Sequence, residues 1–335
     1  MRTDDLDYQL PPELIAQRAA EPRDSARLLV LERSTGAVRH RVFRDLAGEL
    51  HEGDLLVVND TRVLPVRIRA RPATGGAAEV LLLEPREGGA WEALVRPYRR
   101  LRDGERLDAR GLAVVVLERL GDGRAIVRPE AAGSLEEALA VAGEMPLPPY
   151  ITERPADPGR YQTVYARQPG SAAAPTAGLH FTEQLLDELR ARHEIVAVTL
   201  GVGLDTFRPV GEEQLADHPM HSEPYSVPAA AAAAVERARG EGRRVVAVGT
   251  TTVRVLETVF GSPGGGLQGR TSLFIVPGHR FRAVDAMVTN FHLPRSTLLA
   301  LVMAFAGIEQ TRDLYRTAVA ERYRFYSFGD AMLIQ

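Results

Sequence analysis

The chain has 335 residues, 45% of them hydrophobic and 25% charged, which is the balance of a globular protein with room for about two domains. It contains no cysteine, which excludes disulfides, thiolate catalysis and cysteine-based metal sites. The net charge of −3 argues against a protein that coats nucleic acid indiscriminately. No signal peptide or run of roughly 20 apolar residues is present, so we expect a cytoplasmic protein with no membrane contact.

The N-terminal part predicts a hairpin followed by a buried strand. Residues 25–32 and 38–43 alternate around the turn STG, which is a hairpin signal. Residues 54–58 are an apolar run typical of a buried strand. The motif NDTRVLP then places Asp60 and Arg62 at the strand end, either as a structural ion pair or as groups that position a substrate.

The sequence pattern changes in residues 66–149. Short β runs recur at about ten-residue spacing between glycine-rich turns, and only SLEEALAVAG has a helical period. This pattern predicts a small antiparallel β-barrel inserted into a larger domain formed by residues 1–65 and 150–335. The first part of the insert is rich in arginine, which fits either a basic binding face or an ordinary solvated strand surface.

Helices and strands alternate from residue 150 onward. This order predicts βαβ units, a mostly parallel sheet covered by helices on both faces, and a ligand beyond the carboxyl ends of the strands. The fold class is therefore a three-layer α/β domain interrupted by the barrel. The expected strands are 195–200, 243–249, 272–276 and 284–289, and the expected helix caps are Thr182, Thr251 or Thr252, and Ser296 or Thr297.

The motif TNFHLPRST concentrates polar side chains in front of an apolar helix. Asn290 and His292 follow a strand, Pro294 prevents an early helix, and Arg295 and Ser296 precede the helix start. A helix N-terminus offers free N–H groups that favour an anion or an electron-rich ligand atom. The ordinary alternative is that serine only caps the helix and histidine satisfies a loop carbonyl.

The motif AVGTTTVR repeats this arrangement. A buried strand ends at a glycine that permits close approach, and Thr250, Thr251, Thr252 and Arg254 follow. Either the hydroxyls face a ligand, or one threonine caps the helix and the other two are fillers.

The motif PTAGLHFT places Thr176, Gly178 and His180 directly before another helix. A histidine in this position fits a general acid or base, and it fits a structural hydrogen-bond donor equally.

Two further motifs partly resemble a dinucleotide site and a metal site, but each lacks a required feature. TLGVGLDTFRPV has a GxG pair, but the third glycine of a dinucleotide fingerprint is missing and Pro209 blocks a helix, which disfavours a hydride-transfer enzyme. DHPMHSEPYSV supplies His218, His221 and Glu223, but Pro219 prevents the helical pairing of two metal-binding histidines. We therefore expect no metal.

In combination and in this order, the motifs resemble the S-adenosylmethionine:tRNA ribosyltransferase-isomerases of queuosine biosynthesis. The resemblance runs nearly end to end through LIAQ, GDLLVVNDTRVLP, PLPPYI, YQTVYA, APTAGLHFT, TFRPV, MHSEPYSV, AVGTTTVR, TSLFIVPGHRF, TNFHLPRSTLLALVMAFAG and YRFYSFGDAMLI. It implies a large α/β domain interrupted by a small β-barrel, the division that the sequence texture also predicts.

The resemblance also implies a reaction. The ribosyl part of S-adenosylmethionine is transferred to 7-aminomethyl-7-deazaguanine at the wobble position of tRNA and isomerised to give epoxyqueuosine, while adenine and methionine leave. S-adenosylmethionine is then a consumed substrate, and no cofactor is expected. The expected partner is a tRNA anticodon loop, whose bases are accessible one by one. Arg96, Arg99, Arg100 and Arg102 are candidates for tRNA contacts, and a monomer is the working expectation for the oligomeric state.

The site residues follow from the motifs. We expect His180 or His292 to transfer a proton, with Thr251 among the catalytic donors. The expected substrate-binding residues are Asp60, Arg62, Thr176, Gly178, Thr206, Arg208, His221, Glu223, Thr250, Thr252, Arg254, Asn290, Arg295, Ser296 and Asp330.

The sequence departs from the family pattern at a few positions. Gly201 stands where we expect histidine and Asp205 where we expect glycine, and the pattern also favours proline near Ala19 and an aromatic residue at His279. Two alternative functions therefore stay open: a ribosyltransferase acting on another amine, and a regulator that binds S-adenosylmethionine without catalysis.

Overall fold

The computed structural model describes residues 1–153, 157–203, 210–261 and 264–335. Two units are present: one comprises Met1–Thr61, Pro149–Arg167 and Ala174–Gln335, and the other comprises Arg62–Pro148 and Gln168–Ala173. The sequence pattern predicts residues 168–173 to lie in the large domain. They pack instead with the second unit, where the Leu64 N–H donates to the Ser171 carbonyl at 3.3 Å.

The strands are numbered in chain order. They are β1 (Arg27–Glu32), β2 (Ala37–Val42), β3 (Leu55–Asn59), β4 (Thr61–Val63), β5 (Arg67–Pro72), β6 (Ala78–Pro85), β7 (Trp91–Arg96), β8 (Arg106–Ala109), β9 (Leu112–Gly121), β10 (Arg124–Ala131), β11 (Gly143–Glu144), β12 (Gln168–Ser171), β13 (Glu194–Leu200), β14 (Glu223–Ser226), β15 (Val245–Val248), β16 (Gln268–Thr271), β17 (Ala286–Asn290) and β18 (Ala331–Ile334). The α-helices are α1 (Leu46–Glu49), α2 (Leu135–Ala142), α3 (Glu183–Arg190), α4 (Ala229–Gly240), α5 (Thr250–Phe260), α6 (Thr297–Ala306) and α7 (Ile308–Ala320). None of the described helices is long and apolar enough to cross a bilayer.

The first unit is built on a nine-stranded sheet with the order β16-β14-β13-β3-β15-β17-β18-β1-β2. The central strands β13, β3, β15 and β17 are parallel to one another, and so are β18 and β1. The remaining pairings, which include both edges, are antiparallel. The predicted hairpin of β1 and β2 is confirmed, with Glu32 opposite Ala37.

Apolar strands explain why helices cover both faces of this sheet. Every residue of β3, β15 and β17 is buried, as expected for parallel strands without a solvated face. Leu56 and Val58 of β3 belong to one core cluster with the leucines of α3. Leu55 and Val57 point to the opposite face because side chains alternate along a strand, and α4 and α5 pack against β3. The α/β class predicted from sequence is thus present.

Two of the predicted helix caps are present, and one is not. Thr182 and Ser296 accept hydrogen bonds from the N–H groups of Leu185 and Leu299, which confirms both caps. The predicted threonine cap of α5 is wrong, because the helix already begins at Thr250. Gly249 occupies the cap position with φ 92°, a conformation that favours glycine.

The predicted strand at 272–276 is also wrong. The edge strand β16 lies earlier, at Gln268–Thr271, and pairs with β14. The Leu273 carbonyl beyond it accepts instead from Nε of Arg254 at 3.0 Å. The Leu273 carbonyl thus bonds an arginine side chain, where the apolar pattern predicted a backbone hydrogen bond to a neighbouring strand.

The second unit contains a closed antiparallel barrel of six strands, in the order β5-β6-β7-β10-β9-β8. It closes where β8 pairs with β5, with Arg71 opposite Asp108. Alternate residues point inward, so Ile68, Val80 and Val127 are fully buried. The barrel predicted from turn spacing is confirmed, and its helix α2 is capped by Ser134.

Candidate active site

A cavity at the carboxyl ends of β15 and β17 collects residues from three predicted motifs. We call it the threonine–histidine cavity; its lining residues are Ala174, Pro175, Thr176, Ala177, Val202, Gly249, Thr250, Thr251, Thr289, Asn290, His292 and Leu298. Gly249 follows β15 and Asn290 ends β17, so the parallel pairing of these strands brings the two motifs to one edge. Ligands of open α/β sheets bind in this position.

His292 is held rigidly at this cavity. Its backbone N–H donates to the Tyr315 hydroxyl at 3.0 Å, and its carbonyl accepts from the Tyr8 hydroxyl at 2.5 Å. In the ring, Nε2 lies 3.3 Å from Oγ1 of Thr289, while buried Nδ1 has no hydrogen-bond partner among the described residues. A buried polar atom without a partner is costly, so Nδ1 is a prime position for a ligand contact.

Burial sets the protonation state of both candidate histidines. It lowers the pKa of His292 to about 3. The pKa of His180 is lowered to about 3 as well, mainly by burial and further by three arginines, Arg324, Arg23 and Arg160. Both imidazoles are therefore neutral at physiological pH, and each has one unprotonated ring nitrogen.

Asn290 connects His180 to the cavity. Its Nδ2 donates to Nε2 of His180 at 3.2 Å and to the Tyr326 carbonyl at 3.1 Å, while its Oδ1 accepts from Oγ1 of Thr176 at 3.0 Å. His180 does not itself line the cavity; its ring packs on Phe43 with the centroids 4.9 Å apart. Its contact with the cavity runs through Asn290.

The three consecutive threonines of α5 have different environments. Thr250 and Thr251 line the cavity, and Oγ1 of Thr251 accepts from Nδ2 of Asn59 at 3.3 Å. Thr252 is fully buried and its hydroxyl donates to the Val248 carbonyl at 2.7 Å. Thr250 and Thr251 are therefore placed to contact a ligand, whereas the Thr252 side chain stabilises the fold.

Gly178 lies in a tight contact beneath the cavity. A Cβ atom built there would be 2.0 Å from the Tyr165 hydroxyl oxygen and 2.8 Å from Cγ2 of Thr163. The glycine therefore permits the close approach of the turn that carries Thr176 and His180, and its contribution is to packing.

A second cavity contains a buried ion pair. Glu223 and Arg254 are in direct hydrogen-bonding contact and are 8% and 7% exposed. We call this space the ion-pair cavity; its lining residues are Gly203, His218, Met220, His221, Glu223, Arg254, Leu273, Phe274, Ile275, Thr297, Leu298 and Leu301. Leu298 lines both cavities, so they are neighbours.

Ser296 and Arg295 support the helix start beside these cavities. Ser296 caps α6 and donates to the Leu293 carbonyl at 2.8 Å, the ordinary alternative considered from sequence. Arg295 has a positive φ of 56°, held by backbone hydrogen bonds to Leu6 and Val210. Its guanidinium pairs with Asp4 at 3.0 Å, and neither Arg295 nor Ser296 lines a cavity.

Three further predicted residues have other partners. The Asp60 carboxylate accepts from the Thr199 hydroxyl at 2.7 Å. Within the second unit, Arg62 pairs with Glu136 at 2.6 Å. Asp330 accepts from the backbone N–H groups of Arg27 and Arg324, at 2.9 and 2.8 Å, which makes it a clamp between chain segments.

Thr206 and Arg208, and the departure at Asp205, lie outside the described residues. The last described residue before them is Gly203, which lines the ion-pair cavity, and the next described residue is Val210. Gly201 is described, and its N–H donates to the Pro224 carbonyl at 3.0 Å. In the described ranges, no three His, Asp or Glu side chains are grouped so that they could hold a metal.

Two residues that organise the site are not among those predicted from sequence. Asn59 contacts Thr251 and also bonds both the N–H and the carbonyl of Leu200, tying the ends of three elements together. Thr289 lines the cavity and contacts His292. Asn59 precedes Asp60 and Thr289 precedes Asn290. The sequence feature that could have identified both residues is their position at the end of a predicted strand.

Comparison with known proteins gives concordant results. Residues 3–334 match a family model described as queuosine biosynthesis protein. An S-adenosylmethionine:tRNA ribosyltransferase-isomerase of Moorella thermoacetica is 56% identical, with 100% of both chains covered. One of Rubrobacter xylanophilus is 57% identical over 100% of this chain and 98% of its own.

A solved structure is similar over the same extent. The crystal structure of S-adenosylmethionine tRNA ribosyltransferase from Thermotoga maritima has 40% sequence identity and a TM-score of 0.57. The match covers 99% of this chain and 100% of that one.

Proposed function

The chain belongs to the S-adenosylmethionine:tRNA ribosyltransferase-isomerase family of queuosine biosynthesis, and from this premise we propose how its cavities serve the reaction. It is an enzyme that transfers and isomerises the ribosyl moiety of S-adenosylmethionine onto tRNA. We propose that the acceptor is 7-aminomethyl-7-deazaguanine at the wobble position and that the reacting ribose occupies the threonine–histidine cavity. The observation that carries this placement is the unpartnered Nδ1 of His292 at a cavity lined by Thr250, Thr251 and Asn290.

His292 is the proton acceptor in this proposal. The sulfonium of S-adenosylmethionine acidifies the C5′ protons next to it, so a modest base suffices. When a C5′ proton moves to Nδ1, the carbon keeps the electron pair and offsets the sulfonium charge, while the imidazole becomes cationic. The total charge in the cavity is unchanged. The burial that lowers the pKa of His292 therefore opposes this transfer less than it opposes protonation from water.

Thr250, Thr251 and the amide of Asn290 are the fixed polar groups around this base. Hydrogen bonds aimed at atoms that gain charge stabilise a transition state most when the groups are already in place. Asn59 and Thr176 hold Thr251 and Asn290 through bonds of 3.3 and 3.0 Å. His180 acts through Asn290 and is a positioning residue.

The barrel supplies a candidate tRNA surface. Arg96, Arg99, Arg100 and Arg102 are exposed, and across the described chain none has a carboxylate partner. Several other arginines of this unit are paired, as Arg106 is with Asp108 and Glu130. Unpaired guanidinium groups suit phosphate contacts, and we propose that these four meet the anticodon stem-loop.

The remaining requirements follow from the substrates. S-adenosylmethionine brings its own leaving groups, adenine and methionine, so the proposed reaction uses no metal or redox cofactor. We propose a monomer as the working unit. A tRNA substrate is consistent with a cytoplasmic site of action.

Labelled S-adenosylmethionine and tRNA carrying the deazaguanine precursor test the proposal. Adenine release in step with appearance of epoxyqueuosine in digested tRNA supports it. Formation of S-adenosylhomocysteine would instead identify a methyltransferase, and binding without adenine release would identify a regulator. A modified nucleoside other than epoxyqueuosine would identify a different amine acceptor.

A further inference from the structure

The buried pair of Glu223 and Arg254 lines a cavity that the proposed proton transfer does not use. We infer that the ion-pair cavity binds the amino-acid end of S-adenosylmethionine, with Arg254 contacting its α-carboxylate and Glu223 its α-ammonium group. This inference rests on the proposed function for the identity of the ligand. It adds a subsite that selects for the zwitterion rather than for the nucleoside.

The pair retains hydrogen-bonding capacity on both partners. Arg254 donates to Glu223, to the Leu273 carbonyl at 3.0 Å and, weakly, to the Thr271 carbonyl at 3.5 Å. A guanidinium has more N–H groups than these three contacts use. Glu223 accepts from Arg254 and from the Gly203 N–H at 3.0 Å, which leaves lone pairs on its oxygens. Opposite charges side by side match the ammonium and carboxylate on a single α-carbon.

The apolar wall of the cavity matches the rest of the amino-acid chain. Met220, Leu273, Ile275 and Leu301 surround the charged pair with hydrocarbon and thioether surface. Two methylene groups separate the α-carbon of methionine from its sulfur, and such a segment is stabilised by apolar contacts. A polar head next to apolar walls is the general composition of a small-molecule site.

The position of the cavity also fits. Leu298 lines both cavities, and Val202 and Gly203, neighbours in the chain, line one each. A ligand with its α-carbon beside Arg254 would extend past Leu298 to place its sulfonium near His292. One molecule would then occupy both cavities.

A purely structural pair is the competing explanation, since Glu223 lies on β14 and Arg254 on α5. A buried ion pair is weak support for stability, because loss of hydration offsets the attraction, and an apolar pair of similar volume often replaces it at little cost. Removing both charges together therefore separates a structural role from a binding role.

The test compares two ligands by isothermal titration calorimetry on the full-length protein. S-adenosylmethionine is one, and 5′-dimethylsulfonio-5′-deoxyadenosine, which keeps the sulfonium nucleoside but lacks the amino acid, is the other. The wild type should prefer S-adenosylmethionine by at least about tenfold, the effect of one or more charge-assisted hydrogen bonds. In E223Q/R254M this preference should fall close to one, with the affinity for the truncated ligand unchanged.

Two further variants complete the design. D54N/R244M removes another arginine–carboxylate pair of the same unit, in which Asp54 is buried and Arg244 is partly exposed, and should keep the wild-type preference. E223Q alone preserves size and serves if the double variant does not fold; it should weaken S-adenosylmethionine but not the truncated ligand. An undiminished preference in folded E223Q/R254M, or in E223Q where only that variant folds, overturns the inference.

Turnover of the wild type with precursor tRNA separates this inference from the proposed function. If the wild type releases adenine and modifies tRNA while the folded variants keep the ligand preference, only the subsite is wrong. If the wild type shows the preference but no turnover, the binding inference stands and the proposed reaction fails.

Discussion

Asn290 and His180, 110 residues apart in the chain, are joined by a hydrogen bond of 3.2 Å from Nδ2 to Nε2. Because the amide nitrogen donates, Nε2 accepts, and the proton of neutral His180 is on Nδ1. His180 thus fixes the orientation of Asn290, while Nδ1 of His292 has no hydrogen-bond partner among the described residues. The two histidines therefore have separable roles.

Replacing each histidine by alanine should show this separation. For H292A we expect kcat to fall by about 10²–10⁴-fold, the usual contribution of a general acid or base, with KM little changed. H180A should lose less, and the conservative variant H180Q, whose Oε1 can replace Nε2 as an acceptor, should recover part of the loss if Nε2 serves only to accept from Asn290. Steady-state kinetics with precursor tRNA measure both. Wild-type turnover in H180A and H292A would remove these residues from the mechanism.

The two neighbouring threonines provide a matched pair. Thr251 lines the cavity, so T251V should lower kcat by roughly tenfold or more, the cost of a lost hydrogen bond worth about 1.5 kcal/mol. The Thr252 hydroxyl donates to the Val248 carbonyl at the end of β15 and does not line the cavity, so T252V should keep kcat and lose at most about 1 kcal/mol of stability. Equal kinetic effects of the two substitutions would contradict the assignment of Thr251 to the site.

The low pKa values predict how stability depends on pH. His180 and His292 titrate near 3 in the folded chain and near 6.5 when unfolded, so between these values the unfolded state binds more protons. Their contribution is present above pH 6.5 and is lost as pH falls toward 3. In this window, each histidine should lower the free energy of unfolding by about 1.4 kcal/mol for every unit by which the pH falls.

Urea unfolding at pH 7.0 and 5.5 measures this contribution. The difference between the two pH values should be smaller in H180N/H292N than in the wild type. Replacing the exposed His51 by Asn should leave the wild-type difference intact. An equal pH dependence in all three proteins would show that the two buried imidazoles are not kept neutral by folding.

Gly178 should tolerate no side chain. G178A places a methyl group 2.0 Å from the Tyr165 hydroxyl oxygen, so we expect about 1–3 kcal/mol of destabilisation and a loss of turnover as the turn carrying Thr176 shifts. At Gly240, on α4, a methyl group would meet no atom within 4 Å, so G240A should be neutral or stabilising. Thermal unfolding and kinetics compare them. A wild-type melting temperature for G178A would show that the contact relaxes freely.

The barrel arginines should control tRNA binding in a salt-dependent manner. R99E/R100E should weaken tRNA affinity and lower the slope of log affinity against log salt by about 0.7 for each lost phosphate contact. Binding of S-adenosylmethionine should stay unchanged. R106E makes the same charge change at an arginine that is already paired and should have a smaller effect. If tRNA affinity at several salt concentrations is the same for both, the tRNA surface lies elsewhere.

Local features of the fold were predictable, and contacts between distant segments were not. The hairpin of β1 and β2 and the caps Thr182 and Ser296 depend on residues three to five positions apart, which sequence patterns record. The strand expected at 272–276 fails because Leu273 contacts Arg254, a partner that no local pattern indicates.

The candidate site shows the same division. Strand ends and glycines identified His292, Thr251 and Asn290 as neighbours of a ligand, because carboxyl ends of parallel strands share one edge. Sequence did not distinguish Thr251 from Thr252, whose hydroxyls differ only by their rotation around α5. Asn59 was missed because its bonds to Leu200 and Thr251 span 141 and 192 residues.

The place of β18 between β17 and β1 determines when the large sheet can be completed. Within the sheet, β1 and β2 meet the other described strands only through β18, which is made some 300 residues later, and Asp330 fastens this junction to Arg27. During translation, the edge of β1 that pairs with β18 therefore has no partner strand until β18, the last described strand, leaves the ribosome. The barrel, almost all of one continuous segment, has no such delay.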